Sequence, residues 1–66
     1  MKGHELKNLR IKNCLTQHEL GKKLHCSANT IYRYESGRLN IPDLIAAHAI
    51  LTLKIHGINN ENKTAN

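Results

Sequence analysis

Apolar and polar positions in residues 15–37 predict two short amphipathic helices with only three residues between them. Thr16 and Glu19 match a capping box, T-x-x-E, at the start of the first helix. Small or apolar residues then recur on one side of this helix, at Leu20, Gly21 and Leu24. The pattern predicts that this side faces the core of the protein.

The second helix of the segment is expected to begin after Ser27, whose hydroxyl is a good N-cap. Three residues share the side expected to face inward: Ile31, Tyr34 and Glu35. Three polar residues share the opposite side: Asn29, Arg33 and Ser36. Side chains that can hydrogen-bond to the edges of bases are therefore expected on the outer face of this helix.

An earlier helical pattern, over residues 3–13, places a charge on its inner side. The residues on that side are Leu6, Leu9, Arg10 and Asn13. A buried charge usually has a partner of opposite charge. Glu35 lies on the inner side of the second helix predicted in residues 15–37, so we expect an Arg10–Glu35 ion pair. In the alternative, Arg10 extends past its apolar neighbours to solvent.

The C-terminal part of the chain has two interpretations. Pro42 suits the first turn of another helix, and Gly57 with the isoleucine after it suits the end of that helix. Residues 51–56, however, alternate between apolar and other side chains, as a strand does. We favour the helix, and predict one domain over residues 1–58 followed by a mobile polar tail over residues 59–66.

Residues 44–58 contain more large apolar side chains than one helix face can bury. Three of these share one side of the predicted helix and are expected to pack on the motif: Leu44, Leu51 and Ile55. Ile50 and Leu53 lie well around from that side and are expected at the surface. An exposed apolar set on so small a basic protein predicts a homodimer formed through Ile50 and Leu53.

Composition supports an all-α domain with an anionic partner. The 66 residues make one small unit, and without Trp or Phe its core must come from Leu, Ile and Ala on helices. Ten Lys and Arg residues against five Asp and Glu residues give a formal net charge of +5 and a pI near 9.6. This charge favours a polyanion, but by itself it leaves DNA, RNA and an anionic membrane open.

Other classes of protein are less well supported. The longest stretch without a charge, residues 44–53, is too short to span a bilayer, so we expect a cytoplasmic chain with reduced cysteines and no membrane partner. The possible metal ligands around the motif are Cys14, His18, His25 and Cys26. Their spacing does not match a zinc site, and we expect no metal, other cofactor or small-molecule ligand. With no phosphate-binding loop, carboxylate pair or activated nucleophile, an enzyme is not expected.

Taken together, these residues resemble the phage repressor and Cro-like (Xre-type) helix-turn-helix family, whose pattern is L-T-Q-x-x-L-A-x-x-x-G-[VI]-S-x-x-x-I-x-x-[WY]-E-x-G. The matching residues are Leu15, Thr16, Gln17, Leu20, Ser27, Ile31, Tyr34, Glu35 and Gly37. With Arg10 and the N-I-P segment, the resemblance covers residues 6–51. Three residues depart from what is usual in the family. Cys14 and His25 each stand where glycine is common, and Gly21 stands where alanine is usual. If the turn needs a positive φ at His25, the cost is about 1 kcal/mol.

The resemblance implies a lambda-repressor-like domain of four or five helices, in which the first motif helix lies across the DNA backbone and the second enters the major groove. The residues it places at base edges are Ala28, Asn29 and Arg33. The residues it places at the DNA backbone are Gln17, Ser36 and Arg38. Gln17 is also expected to support the second motif helix, and the hydroxyl of Tyr32 to add a phosphate contact.

The expected function is that of a transcriptional repressor or Cro-like switch protein of a phage or mobile element, acting as a homodimer on a two-fold DNA operator. One alternative is an antitoxin or restriction-modification controller of the same fold. The other is a helix-turn-helix scaffold used as a protein-interaction module. Steep salt dependence of DNA affinity separates DNA binding from this last alternative.

Overall fold

A computed structural model describes residues 1–53, which form four helices and no strand. The first three are α1 (Gly3–Lys12), α2 (Gln17–Leu24) and α3 (Ala28–Glu35). A fourth helix, α4, begins at residue 43 and continues to residue 53. The predicted all-α fold is confirmed, and the helix prediction for residues 51–53 with it. Predictions for residues 54–66, including the domain boundary, the polar tail and the remainder of the possible strand, lie outside the described residues.

The motif helices begin at the predicted caps. The Thr16 hydroxyl accepts a 3.0 Å hydrogen bond from the Glu19 backbone N–H, and the Glu19 carboxylate accepts one of 2.8 Å from the Thr16 N–H. The hydrogen bond from the Thr16 backbone N–H, and after it the Thr16 hydroxyl, hold the pKa of the Glu19 carboxyl below its ordinary value. The ionised Glu19 carboxylate therefore stabilises the fold at pH values above its unfolded-state pKa. This contribution is lost as the pH falls through its lower folded-state pKa. The Ser27 hydroxyl caps α3 by accepting a 3.1 Å hydrogen bond from the Thr30 N–H.

The turn between α2 and α3 places a non-glycine residue in the left-handed region. His25 has φ 59° and ψ 40°, as expected if the turn needs a positive φ at this position. Cys14, just after α1, has the same φ of 59°. These are two of the positions where the resembled family has glycine, and each left-handed residue costs roughly 1–2 kcal/mol relative to a glycine. Gly37, two residues after the end of α3, has φ 81°, and as a glycine it adopts this conformation without that cost.

Gly21 lies against the backbone of the turn that follows α2. The Cys26 N–H donates a 2.8 Å hydrogen bond to the Gly21 carbonyl. A Cβ on Gly21 would lie 2.5 Å from the Cys26 carbonyl oxygen. The position must therefore be smaller in this chain than the alanine of the family pattern.

We predict that Gly21→Ala lowers the free energy of unfolding, although alanine is better than glycine in a helix by about 1 kcal/mol. Overpacking against the backbone of the turn is expected to cost about 1–3 kcal/mol. Urea denaturation followed by circular dichroism measures the change. Lys22→Ala, at the exposed neighbouring position of the same helix, is the control and should leave stability nearly unchanged. Equal or higher stability of Gly21→Ala would show that the turn moves aside without cost.

The core lies between the four helices, and α3 packs against both α1 and α2. Its buried residues come from each helix in turn: Leu6, Leu20, Leu24, Ile31, Tyr34, Ala49 and Leu53. Cys26 packs against this cluster from the turn. Every core residue that α1, α2 and α3 contribute is among the inward positions predicted for them.

The prediction for the inward face of α4 is wrong. Leu53 is a core residue with 3% of its surface exposed, whereas Leu44 and Leu51 are 84% and 58% exposed. The buried side of the helix also holds Ala46 and Ala49. Leu53 is therefore unavailable for a dimer contact, while Ile50 is 41% exposed.

Candidate nucleic-acid interface

The outer face of α3 presents the polar residues predicted to read bases. Asn29 and Arg33 are exposed, and Ala28, the first residue of the helix, is partly exposed. All three lie in the first two turns of α3; Asn29 and Arg33 are opposite the buried Ile31 and Tyr34, and Ala28 is at the edge of this face. This end of the helix combines an amide, a guanidinium and a methyl group, which are the chemical groups used for direct readout of DNA bases.

The inner side of α3 is attached to α1 by a nearly buried ion pair. Arg10 Nε lies 2.7 Å from Glu35 Oε2, and Arg10 Nη2 donates to Glu35 Oε1 at 3.1 Å. The two side chains are only 13% and 4% exposed. Arg10 Nη1 also donates to the Leu15 carbonyl at 2.8 Å, so the guanidinium also holds the segment before α2. The ion pair expected from the sequence is therefore present, and the alternative of a solvent-exposed Arg10 is wrong.

Gln17 connects the start of α2 to the end of α3. Its side-chain Nε2 donates to Glu35 Oε1 at 3.1 Å. The same carboxylate thus receives donors from α1 and α2, which connects both helices to α3. The expected supporting role of Gln17 is visible in this contact.

Arg38 lies beside α3, over the ring of Tyr32. The guanidinium carbon is 6.0 Å from the ring centroid, within the range of a cation–π contact. The Arg38 N–H also donates to the Arg33 carbonyl at 3.0 Å. Tyr32 is 46% exposed, so the pair forms part of the same outer surface as Arg33. Sequence periodicity missed this contact because Arg38 follows the end of the helix.

Ser36 is exposed, but its hydroxyl is engaged within the protein. Its Oγ donates to the Arg33 carbonyl at 3.2 Å, and only its acceptor capacity is left for solvent or a ligand. A phosphate accepts hydrogen bonds, so a phosphate contact through Ser36 requires this hydroxyl to rotate. Among the predicted backbone-contacting residues, Ser36 is the one whose observed geometry is least suited to that role.

The charge of this surface is positive. Within residues 1–53, the Arg10–Glu35 pair is the one ion pair, so Arg33 and Arg38 face solvent without a carboxylate partner there. The carboxylates of Glu5 and Glu19 accept hydrogen bonds at helix starts. An exposed surface with two guanidinium groups that have no carboxylate partner among residues 1–53 is suitable for an anionic ligand.

The histidines and cysteines do not form a metal-binding cluster within residues 1–53: no three His, Cys, Asp or Glu side chains converge there. Cys14 and Cys26 are free thiols. The rings of His25 and His48 are stacked, with centroids 6.1 Å apart. No helix in this part of the chain has the length and apolar character needed to cross a bilayer.

Comparison with known families identifies the motif. A family model described as a helix-turn-helix domain matches residues 3–53, from the start of α1 to the end of the described part of α4. This chain belongs to the helix-turn-helix domain family. The family is part of the Xre/Cro-like superfamily, as the resemblance implied. Searches of curated proteins and of solved structures each gave no match.

In this helix-turn-helix domain, α2 and α3 are the two motif helices and residues 25–27 are the turn. Membership of the family indicates DNA binding. The ion pair and the Gln17 contact lie on the inner side of the motif, and the exposed groups lie on the outer side of α3. These contacts therefore support α3 from its inner side and leave its outer side exposed.

Proposed function

We propose that this helix-turn-helix domain is a sequence-specific transcription regulator that inserts α3 into the DNA major groove. The observation that carries this proposal is the contrast between the two sides of α3. Its inner side is fixed by Glu35 to α1 and α2, and its outer side exposes Asn29 and Arg33. A rigid helix with outward polar groups is what direct readout requires.

Each base-reading residue has a chemically defined partner. Asn29 is suited to a bidentate pair with adenine N6 and N7, and Arg33 to one with guanine O6 and N7. Ala28 is suited to contact a thymine methyl group. Each good bidentate pair contributes about 1–3 kcal/mol of discrimination against the wrong base.

The backbone contacts place α3 in register on the duplex. Gln17, at the start of α2, uses one side-chain N–H for Glu35 and keeps a second for a phosphate. Arg38 and the Tyr32 hydroxyl supply two more contacts at the flank of α3. Ser36 joins them only after its hydroxyl turns away from the Arg33 carbonyl.

The biological role we propose is that of a repressor or Cro-like switch protein of a phage or mobile element, acting as a homodimer on an operator with two-fold symmetry. Two copies of α3 about 34 Å apart would enter successive major grooves on one side of the DNA. Selection of bound sequences from a random duplex pool tests this directly. A palindromic consensus supports the proposal, and the absence of any enriched sequence contradicts it.

We predict different consequences for the two exposed arginines. Arg33→Ala should relax base preference at one position of each half-site and cost roughly 1–3 kcal/mol per contact. Arg38→Ala should weaken binding to all duplexes alike and flatten the log–log salt slope by about one unit. Fluorescence anisotropy titrations at several salt concentrations, on cognate and base-substituted duplexes, measure both effects. Unchanged base preference in the Arg33→Ala variant contradicts its assignment as a base reader.

Two other roles use the same fold. An antitoxin or restriction-modification controller would bind DNA through the same residues, so the regulated genes distinguish it from a phage switch. A protein-interaction module would instead bind duplexes weakly and without enriched sequence in the selection. We propose no catalytic activity for any of these roles.

A further inference from the structure

The solvent-facing side of α4 is apolar from residue 44 to residue 53. From residue 44 to residue 53 the helix contains no charged residue. Its exposed residues beyond Asp43 are Leu44, Ala47, Ile50 and Leu51. Leu44 is 84% exposed and Leu51 58%, although the inner side of the same helix is already filled by core residues. So large an apolar face on a charged domain marks a surface that binds a partner.

The spacing of these residues suits a partner that presents the same face. At 100° per residue, Ala47 lies at the middle of the exposed arc, with Leu44 and Leu51 together on one side of it. Leu44 and Leu51 are seven residues apart, which is about two turns of helix. A two-fold axis that passes beside Ala47, perpendicular to the helix, therefore places Leu44 of each copy against Leu51 of the other. The interface then contains two such contacts. The small side chain of Ala47 at the axis lets the two helices approach closely.

Charge also favours a second copy of this chain at this face. The chain has a formal net charge of +5, and the described Lys residues are all exposed. Two copies therefore repel each other wherever their basic surfaces meet. The outer side of α4 after Asp43 is free of charge, so it is a surface on which two copies can approach without that repulsion.

We propose that the outer face of α4, made by Leu44, Ala47, Ile50 and Leu51, binds the same face of a second copy in antiparallel orientation. This deepens the proposed function by naming the surface that creates a two-fold DNA-binding dimer. It keeps Ile50 from the sequence-based prediction and replaces Leu53, which is buried, by Leu44 and Leu51. A contact between single helices is small, so the association is weak without DNA and is reinforced on a two-fold site.

Sedimentation equilibrium of the full chain without DNA, up to its solubility limit, tests the proposal. We expect reversible, concentration-dependent dimers of the unsubstituted protein. Leu44→Lys and Leu51→Glu each place a charge against an apolar partner and should weaken dimerisation about tenfold or more. The variant that carries both substitutions should regain dimers, because Lys at 44 then faces Glu at 51 of the other copy. Ile11→Lys, at a 54% exposed position on α1, is the control and should dimerise normally.

Three results would overturn the proposal: a monomer at every concentration, dimers that survive both single substitutions, or a double variant that stays monomeric. The first result would mean that another partner or the remainder of the chain covers this face. The third would exclude antiparallel pairing, since a parallel pair brings like charges together. Binding of the Leu44→Lys variant to a single half-site tests DNA recognition separately. Retained half-site binding with lost dimers separates failure of this surface from failure of the proposed function.

Discussion

The Glu35→Ala variant is expected to lose a large share of the stability of the domain. The Glu35 carboxylate, 4% exposed, accepts two hydrogen bonds from Arg10 and one from Gln17. Its removal leaves a nearly buried guanidinium without a counter-charge, at a cost of about 3–5 kcal/mol. A domain of 66 residues has a total stability of roughly 3–10 kcal/mol, so this loss is a large share of the whole. Thermal and urea denaturation measure the change.

A double variant shows whether the unpaired charge is the cause. Arg10→Met combined with Glu35→Leu leaves no buried charge, and we expect it to be more stable than Glu35→Ala alone. It should not reach the stability of the unsubstituted protein, because the Leu15 carbonyl loses its donor and Gln17 loses its acceptor. If Glu35→Ala melts within about 2 °C of the unsubstituted protein, the pair contributes little, since 1 kcal/mol alone shifts the midpoint by roughly 4–8 °C in so small a domain.

The Leu53→Ala variant is expected to be the next most damaged. Leu53 is 3% exposed and packs in the cluster with residues from the other three helices. Truncating a buried leucine leaves a cavity and typically costs about 2–5 kcal/mol. Urea denaturation at a protein concentration low enough to prevent self-association measures this loss.

Leu51→Ala provides the matched control for Leu53→Ala. Leu51 lies on the same helix two residues earlier and is 58% exposed, so its truncation should change stability by no more than about 0.5 kcal/mol. The pair of variants tests which face of α4 is buried. A larger loss for Leu51→Ala than for Leu53→Ala would show that the helix packs in the orientation first expected from the sequence.

The sequence by itself determined the first three helices and their starts. Capping depends on contacts three residues apart, such as Thr16 with Glu19 and Ser27 with Thr30, and these are readable from local order. Helical periodicity gives the inward side of a helix directly when one side is clearly apolar, as on α2 and α3. The same reasoning extends to base-reading candidates, since Asn29 and Arg33 lie opposite the buried residues.

The Arg10–Glu35 pair could also be predicted, although 25 residues separate its members. Periodicity places each charge on an inward face, and a buried charge requires a counter-charge. The contacts around the pair were less accessible. The Leu15 carbonyl became an acceptor for Arg10 only because the segment before α2 passes beside α1. The bond from Ser36 to the Arg33 carbonyl depends on a rotamer that residue order does not specify.

Tertiary packing alone decided the orientation of α4 and the need for glycine at residue 21. Apolar residues occur around most of α4, so periodicity does not identify its inner side, and the larger leucines misled the prediction. The side of α4 that packs in the core is the one that holds the small Ala46 and Ala49 together with Leu53. Gly21 is required by a carbonyl five residues later in the chain. In both cases the deciding factor is how separate segments of the chain pack against each other, which a sequence pattern does not contain.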